Sequence, residues 1–227
     1  MTPKTQTPGR ALSLAIPLAL FAAIAINAQI DNRTTRTHPD NAAALRQYEW
    51  KSRTEIRKDG ETKRVEVASM RYDENGQLQK TIIGSTPEPD LPKFGLRRRI
   101  AKNRLEDFRE KIASLVALAQ SYADLPADRK QRFMTTAAMT PEENLVRLEG
   151  RDVLQSGDAM TIFLDAVSRK QRRIEIQTTF DQKPVRIVSE FADLTGGPTY
   201  MARSEVTYDG KSIGIITENF DHTRVQR

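Results

Sequence analysis

Residues 48–58 read "YEWKSRTEIRK": Tyr48, Trp50, Ser52, Thr54 and Ile56 alternate with Glu49, Lys51, Arg53, Glu55 and Arg57. The period is two, so one edge-on view of the segment is charged and the other carries aromatic, hydroxyl and aliphatic groups. A strand with one ionic and one largely apolar face belongs to an antiparallel sheet wetted on one side. Asp59-Gly60 then turns the chain into "TKRVEVASMRYD", and Asn75-Gly76 is a two-residue hairpin signal leading into "QLQKTII". A three-stranded meander is expected before residue 84.

The periodicity changes after the proline-rich loop "GSTPEPDLPKFG". Ile100, Leu105, Phe108, Ile112, Leu115, Val116, Ala119 and Tyr122 recur at spacings of three to five, one face of a helix over about 97–123. At a rise of 1.5 Å per residue it is roughly 40 Å long. "PADRKQRFMTTAAM" continues as a shorter helix with Pro126 in its first turn, so the helical insertion spans about 97–138. Six further strand-like runs follow: "NLVRLEGRDVL", "AMTIFLDAV", "RRIEIQTTF", "PVRIVSEFADL", "YMARSEVTY" and "SIGIITENF". Spacings near ten residues, broken by turn chemistry, suggest a sandwich, a barrel or a curved open sheet. The expected whole is α+β: about nine antiparallel strands, interrupted after the third by a helical pair.

Ahead of the meander, "PDNAAALRQ" suits a short helix capped by Asp40 or Asn41. The first stretch, "MTPKTQTPGRALSLAIPLALFAAIAINAQ", has a polar start with Lys4 and Arg10, an apolar run from Ala11 to Ile26, and small residues around Ala25 and Ala28. That pattern is a secretory signal peptide over 1–28. The apolar run contains Pro17 and is shorter than the roughly 20 residues a membrane span needs. Residues 29–38 read as a flexible tail, and 39–227 as one domain. Loss of Lys4 and Arg10 takes the formal charge from +6 to +4, too mild an excess to imply nucleic acid. The chain contains no cysteine, which excludes disulfides, thiol nucleophiles and a lipoprotein cleavage site. A cleaved, periplasmic or secreted product is expected.

No motif in the chain carries an established chemistry. "YDGKS", 208–212, ends like a phosphate loop but has Glu205 where that motif needs glycine. "DENGQ", 73–77, begins like a calcium loop and then loses the pattern. Both are hairpin turns. The two histidines, His38 and His222, make a histidine metal site improbable, and no G-x-S-x-G elbow accompanies His222 as a hydrolase base. Neither an enzyme nor a cofactor is expected. "SRKQRR", 168–173, reads as a charged hairpin connection.

The segment "LPKFGLRRRIAKNRLEDF", 91–108, is less ordinary. Lys93, Arg97, Arg98, Arg99, Lys102, Arg104, Arg109 and Lys111 face only Glu106, Asp107 and Glu110. A helix N-terminus prefers acids, so three arginines there cost a few tenths of a kcal/mol each, less in salt. Two readings stay open. The end is merely solvated, or its amides and Arg97, Arg98, Arg99, Lys102 and Arg104 together attract an anion: a lipid headgroup, a phosphate or an acidic protein. Phe94 and Phe108 beside the patch suit a water–lipid interface; single-stranded nucleic acid is disfavoured because no aromatics interleave with the cations.

The late pattern "TTFDQKPVRIVSEF" and "PTYMARSEVTYDGKSIGIITENF", with the signal peptide, the earlier strands and the helical interruption, resembles the periplasmic lipoprotein-carrier, or Lol-type, half-barrel superfamily. That resemblance implies a strongly curved antiparallel sheet forming a cup, helices over its mouth, and acyl chains in an apolar interior. Val146, Leu148, Ile174, Ile176, Val185 and Ile187 would then face Phe108, Ile112 and Leu115, either lining an open cup or closing as a core. Two functions follow: a non-enzymatic carrier-like protein for lipid or another apolar ligand, or an interaction module with a closed core and a basic docking helix. The expected partners are an apolar ligand and an anionic membrane or acidic protein surface.

Overall fold

The computed structural model describes residues 38–87, 92 and 94–225. The signal peptide expected over 1–28, residues 29–37 of the tail expected over 29–38, and Lys93 lie outside the described residues, and His38, the last residue of that expected tail, opens a helix. A short helix α1 (His38–Leu45) precedes strands β1 (Tyr48–Lys58), β2 (Glu61–Tyr72) and β3 (Leu78–Ser85). Asn41 does not cap α1. Its side chain brackets Thr199, donating to the carbonyl at 3.0 Å and accepting from the N–H at 2.7 Å. The β1–β2 turn places Asp59 and Gly60 at φ 54 and 81, the left-handed pair that suits a two-residue hairpin. At the next turn the Asp73 carboxylate accepts from the N–H groups of Asn75 and Gln77, which is why "DENGQ" is a hairpin.

Helices α2 (Gly95–Ala123) and α3 (Ala127–Thr136) follow, then strands β4 (Ala138–Pro141), β5 (Leu145–Arg151), β6 (Ala159–Asp165), β7 (Gln171–Phe180), β8 (Lys183–Asp193), β9 (Thr199–Tyr208) and β10 (Ile213–Arg224). All ten strands form one sheet in the order β3-β2-β1-β10-β9-β8-β7-β6-β5-β4, every neighbour pair antiparallel. The helical pair carries the chain from one edge of the sheet to the other, and β10 returns to pair with β1. This is an open, curved antiparallel sheet of the half-barrel kind with helices on one face.

The strand count is ten rather than nine. Read from the sequence, "TTAAM" prolonged the second helix, but α3 stops at Thr136, and Ala137 turns extended at φ −62, ψ 134. Ala138–Pro141 then pairs with Val146–Glu149, and Pro141 is tolerated because β4 is the sheet edge. The first helix also begins two residues earlier than expected, after Phe94, which makes no side-chain cap.

The period-two face of β1 becomes one row of a charge lattice on the outer face of the sheet. Register sets Arg173, Glu190, Arg203, Glu218 and Arg53 side by side across β7, β8, β9, β10 and β1. Arg203 reaches Glu218 at 2.9 Å and Glu205 at 2.8 Å, while Arg53 and Arg57 clamp Glu55 at 2.7 and 2.6 Å. Hydrogen bonds from Arg57, Thr62 and Arg53 hold the Glu55 carboxyl at a pKa of about 2. Opposite charges directly across strands stabilise the pairing locally.

The inner face packs against the helices. Ile112, Leu115, Val116, Ala119, Tyr122 and Ala123 of α2 and Phe133 of α3 join strand residues in one buried cluster. Phe133 lies on Gly150, where an added Cβ would come within 2.6 Å of its ring. The end of α2 is pinned by a buried hydrogen-bond network. The Tyr122 hydroxyl donates to Asp158 Oδ2 at 2.6 Å and lies 2.8 Å from Thr178 Oγ1. Asp158 also accepts from the N–H groups of Val153, Leu154 and Gln155, so its charge is solvated by the β5–β6 turn. Burial, reinforced by Asp158, pushes the Tyr122 phenol well above its ordinary pKa.

Candidate functional site

Two regions of the molecule carry residues whose placement the fold alone does not require. The first is the N-terminal half of α2. Burial on this helix begins at Ile112, although the apolar periodicity starts at Ile100. Rotation explains the difference: at 100° per residue Leu96 and Ile100 lie well round the helix from the stripe through Phe108, Ile112 and Leu115. Phe94, Leu96 and Ile100 are 85, 73 and 44% exposed, and Ile82 and Ile83 on β3 are 54 and 55% exposed. Five of the nine large exposed apolar side chains among the described residues thus fall within residues 82–100, too concentrated to be scattered surface. Arg97, Arg98, Arg99, Lys102 and Arg104 are exposed on the same half-helix. Its first turn holds no acid, and Lys102 pairs with Glu106 at 3.6 Å. The helix is held further along, where Lys58 sits 5.7 Å over the Phe108 ring and Lys111 bonds Asp181.

The residues expected to line a cup lie elsewhere. Val146, Leu148, Ile174, Ile176, Val185, Ile187, Ile112 and Leu115 are all between 0 and 7% exposed and belong to one contact cluster, with Phe108 half-buried against it. Under the helices the inner face is filled by its own side chains.

The second region is the part of the inner face around the β1–β10 seam. Register aligns Ser189, Ser204, Thr217, Thr54 and Glu66 in a single row across β8, β9, β10, β1 and β2. All five are buried, at 0 to 6% exposure. Ser189 and Ser204 hydroxyls are 3.0 Å apart, those of Thr54 and Thr217 3.5 Å apart. Glu66 ends the row, neutralised by Lys80 at 2.5 Å and Arg64 at 3.1 Å. The next row opposes Ser52 to Asn219. Beyond it stands a separate small cluster of Trp50, Ala68 and Met70 with Tyr72 and Leu78 against it. The His222 ring packs 5.9 Å from Trp50 and 4.0 Å from Tyr200, and burial lowers its pKa. Its ring contacts are with these two aromatic side chains. No group of three or more His, Cys, Asp or Glu able to hold a metal occurs among the described residues.

The sequence displayed the polar row without marking it. Ser52 and Thr54 are visible at inward positions of an otherwise apolar alternation, but their alignment with Ser189, Ser204 and Thr217 depends on which strands pair.

No family model matches the chain, and no curated protein matches it. Two solved structures are similar in shape. A DUF1329 family protein from Desulfovibrio piger is 6% identical with a TM-score of 0.40, over 82% of this chain and 88% of that one. A LolA superfamily protein from Nitrosomonas europaea is 7% identical with a TM-score of 0.38, over 85% of this chain and 96% of that one.

Proposed function

We propose that this protein is a non-enzymatic, carrier-like half-barrel of the periplasm or the secreted space that handles an apolar ligand and meets an anionic membrane through the N-terminal half of α2. The observation that carries this reading is the exposure of Phe94, Leu96 and Ile100 among Arg97, Arg98, Arg99, Lys102 and Arg104. Apolar side chains would enter the headgroup boundary while the cations meet lipid phosphates. The magnitudes suffice: full burial of one such apolar side chain is worth about 1.5–3 kcal/mol, and each cation near an anionic surface about 1 kcal/mol. No described helix is long and apolar enough to cross a membrane.

Sedimentation with vesicles tests the docking. The chain lacking residues 1–28 is expected to pellet with phosphatidylglycerol/phosphatidylcholine vesicles, less so in high salt, and to stay in solution with pure phosphatidylcholine. A Phe94→Ser, Leu96→Ser, Ile100→Ser variant is expected to lose the binding. Wild-type protein that ignores both vesicle types would overturn the assignment.

A second reading, an interaction module that docks an acidic protein, is favoured by the packed state of the inner-face residues beneath the helices. It predicts that Arg97→Glu, Arg98→Glu, Arg99→Glu together change the set of captured proteins, and an unaltered set removes it.

A further inference from the structure

Among the buried polar atoms of the described residues that lack a hydrogen-bond partner are Trp50 Nε1, a donor, and Asn219 Oδ1, an acceptor, both on the inner face. The residues are 6 and 7% exposed. They sit on adjacent strands of the same face, one register step apart, because Asn219 opposes Ser52. The Asn219 carboxamide is not free to turn. Its Nδ2 donates to the Met201 carbonyl at 2.9 Å, which leaves Oδ1 as the unsatisfied atom. A buried donor or acceptor without a partner is a standing cost, and native structures rarely keep such atoms without a reason.

The surroundings define what would satisfy them. Ser52, Thr54 and Thr217 carry no charge. Glu66 is already engaged by Lys80 and Arg64, and Asp221, next to His222, pairs with Lys51 at 2.9 Å. An ionised group brought here would lose its hydration without gaining a counter-charge. Ala68 and Met70, buried, with Tyr72 and Tyr200 at partial exposure, surround the seam with apolar and aromatic surface.

We infer that the β1–β10 seam is a headgroup site for a neutral amphiphile whose uncharged head both accepts and donates a hydrogen bond, as a carboxamide does. The amide carbonyl accepts from Trp50 Nε1–H and the amide N–H donates to Asn219 Oδ1, with the apolar body lying along Met70 and the aromatic rings. This rests on the apolar-ligand reading above and adds a head preference that the packed aliphatic core beneath the helices could not supply.

Trp50 is the only tryptophan in the chain, so its fluorescence reports the site directly. Oleamide, methyl oleate and oleate share one hydrocarbon tail: the first accepts and donates, the second only accepts, and the third is charged. Titration of the chain lacking residues 1–28 should change Trp50 emission with oleamide at about tenfold lower concentration than with methyl oleate, the factor one hydrogen bond of 1.4 kcal/mol gives, and oleate should be weakest. Asn219→Leu should bring the oleamide-to-methyl-oleate ratio to about one while leaving methyl oleate affinity unchanged. Trp50→Phe, read by calorimetry, should weaken oleamide and methyl oleate alike, and it stands in should the Asn219 variant fail to melt cooperatively. Equal binding of all three ligands, an oleamide-to-methyl-oleate ratio that survives Asn219→Leu, or oleamide and methyl oleate affinities that Trp50→Phe leaves unchanged overturns the head site and leaves the apolar-ligand reading intact. Binding of none of the three overturns both.

Discussion

Tyr122 and Glu55 show how single side chains hold the two faces of this sheet. Tyr122 is fully buried and its hydroxyl is one of four donors to Asp158, so it ties the end of α2 to the β5–β6 turn. Tyr122→Phe keeps the ring and deletes a hydrogen bond to a charged group. The expected cost is about 1.5–3 kcal/mol, seen as a lower urea midpoint at unchanged slope. Glu55 works on the outer face, where Arg57, Thr62 and Arg53 lower its pKa from 4.5 to about 2. A carboxyl with a depressed folded pKa stabilises above its unfolded value and loses that contribution as pH falls through the folded one. Wild type is therefore expected to melt above Glu55→Gln at pH 6, with the gap closing between pH 4.5 and 2. His222 has the opposite chemistry and the same direction of loss. Burial lowers its pKa from 6.5, so the unfolded chain takes up a proton near pH 6.5 that the folded one resists, and stability falls below that pH. His222→Phe should flatten the melting temperature between pH 7 and 5.5 relative to wild type.

At the scale of elements, α2 is one helix with two environments. Its second half buries six residues and ends in the Tyr122–Asp158 bond, while residues 95–100 are exposed throughout. Amide exchange is expected to be fast over 95–107 and slow over 112–123, because opening free energy follows local burial. Uniform protection along the helix would mean that the exposed half is held by contacts the buried face does not provide. This helix was legible in the sequence because spacings of three to five continue for six turns. The strands were legible because Asp59-Gly60, Asn75-Gly76 and Asp209-Gly210 punctuate clean alternation. β4 was not: four residues are too few to show a period, and Ala137 and Ala138 at its start favour helix. Nor was Tyr122–Asp158, whose partners are 36 residues apart with nothing local to join them. Arg97 to Arg104 stood out as charge, but the exposure of Leu96 and Ile100 needed the helix to be placed against the sheet.

At the scale of the molecule, the decisive fact is that the first and last strands are neighbours in the middle of the sheet. β1 pairs with β10 from Tyr48↔Arg224 to Lys58↔Ile213, and no local signal announces a partner that far along the chain. The polar row and the unsatisfied pair at Trp50 and Asn219 exist only because of that pairing, which is why they were invisible beforehand. The same pairing orders assembly. Strands β4 to β10 form by successive hairpins, each closing a short loop, and β1 to β3 form another such unit. Joining the two costs the closure of the whole intervening chain before any contact rewards it. In a refolding experiment with pulsed amide labelling, the N–H groups of β6, β7 and β8 are therefore expected to gain protection before those that bond β1 to β10, and the Trp50 fluorescence change should follow the later phase because its cluster sits at that junction. Removing residues 213–227 should abolish the cooperative melt altogether, since it takes away Ile213 and Ile215 from the core and the strand that connects the two units. A truncated chain that still unfolds in one sharp transition, or β1 amides protected as early as those of β7, would mean that the two units are joined by the helices instead of by the seam.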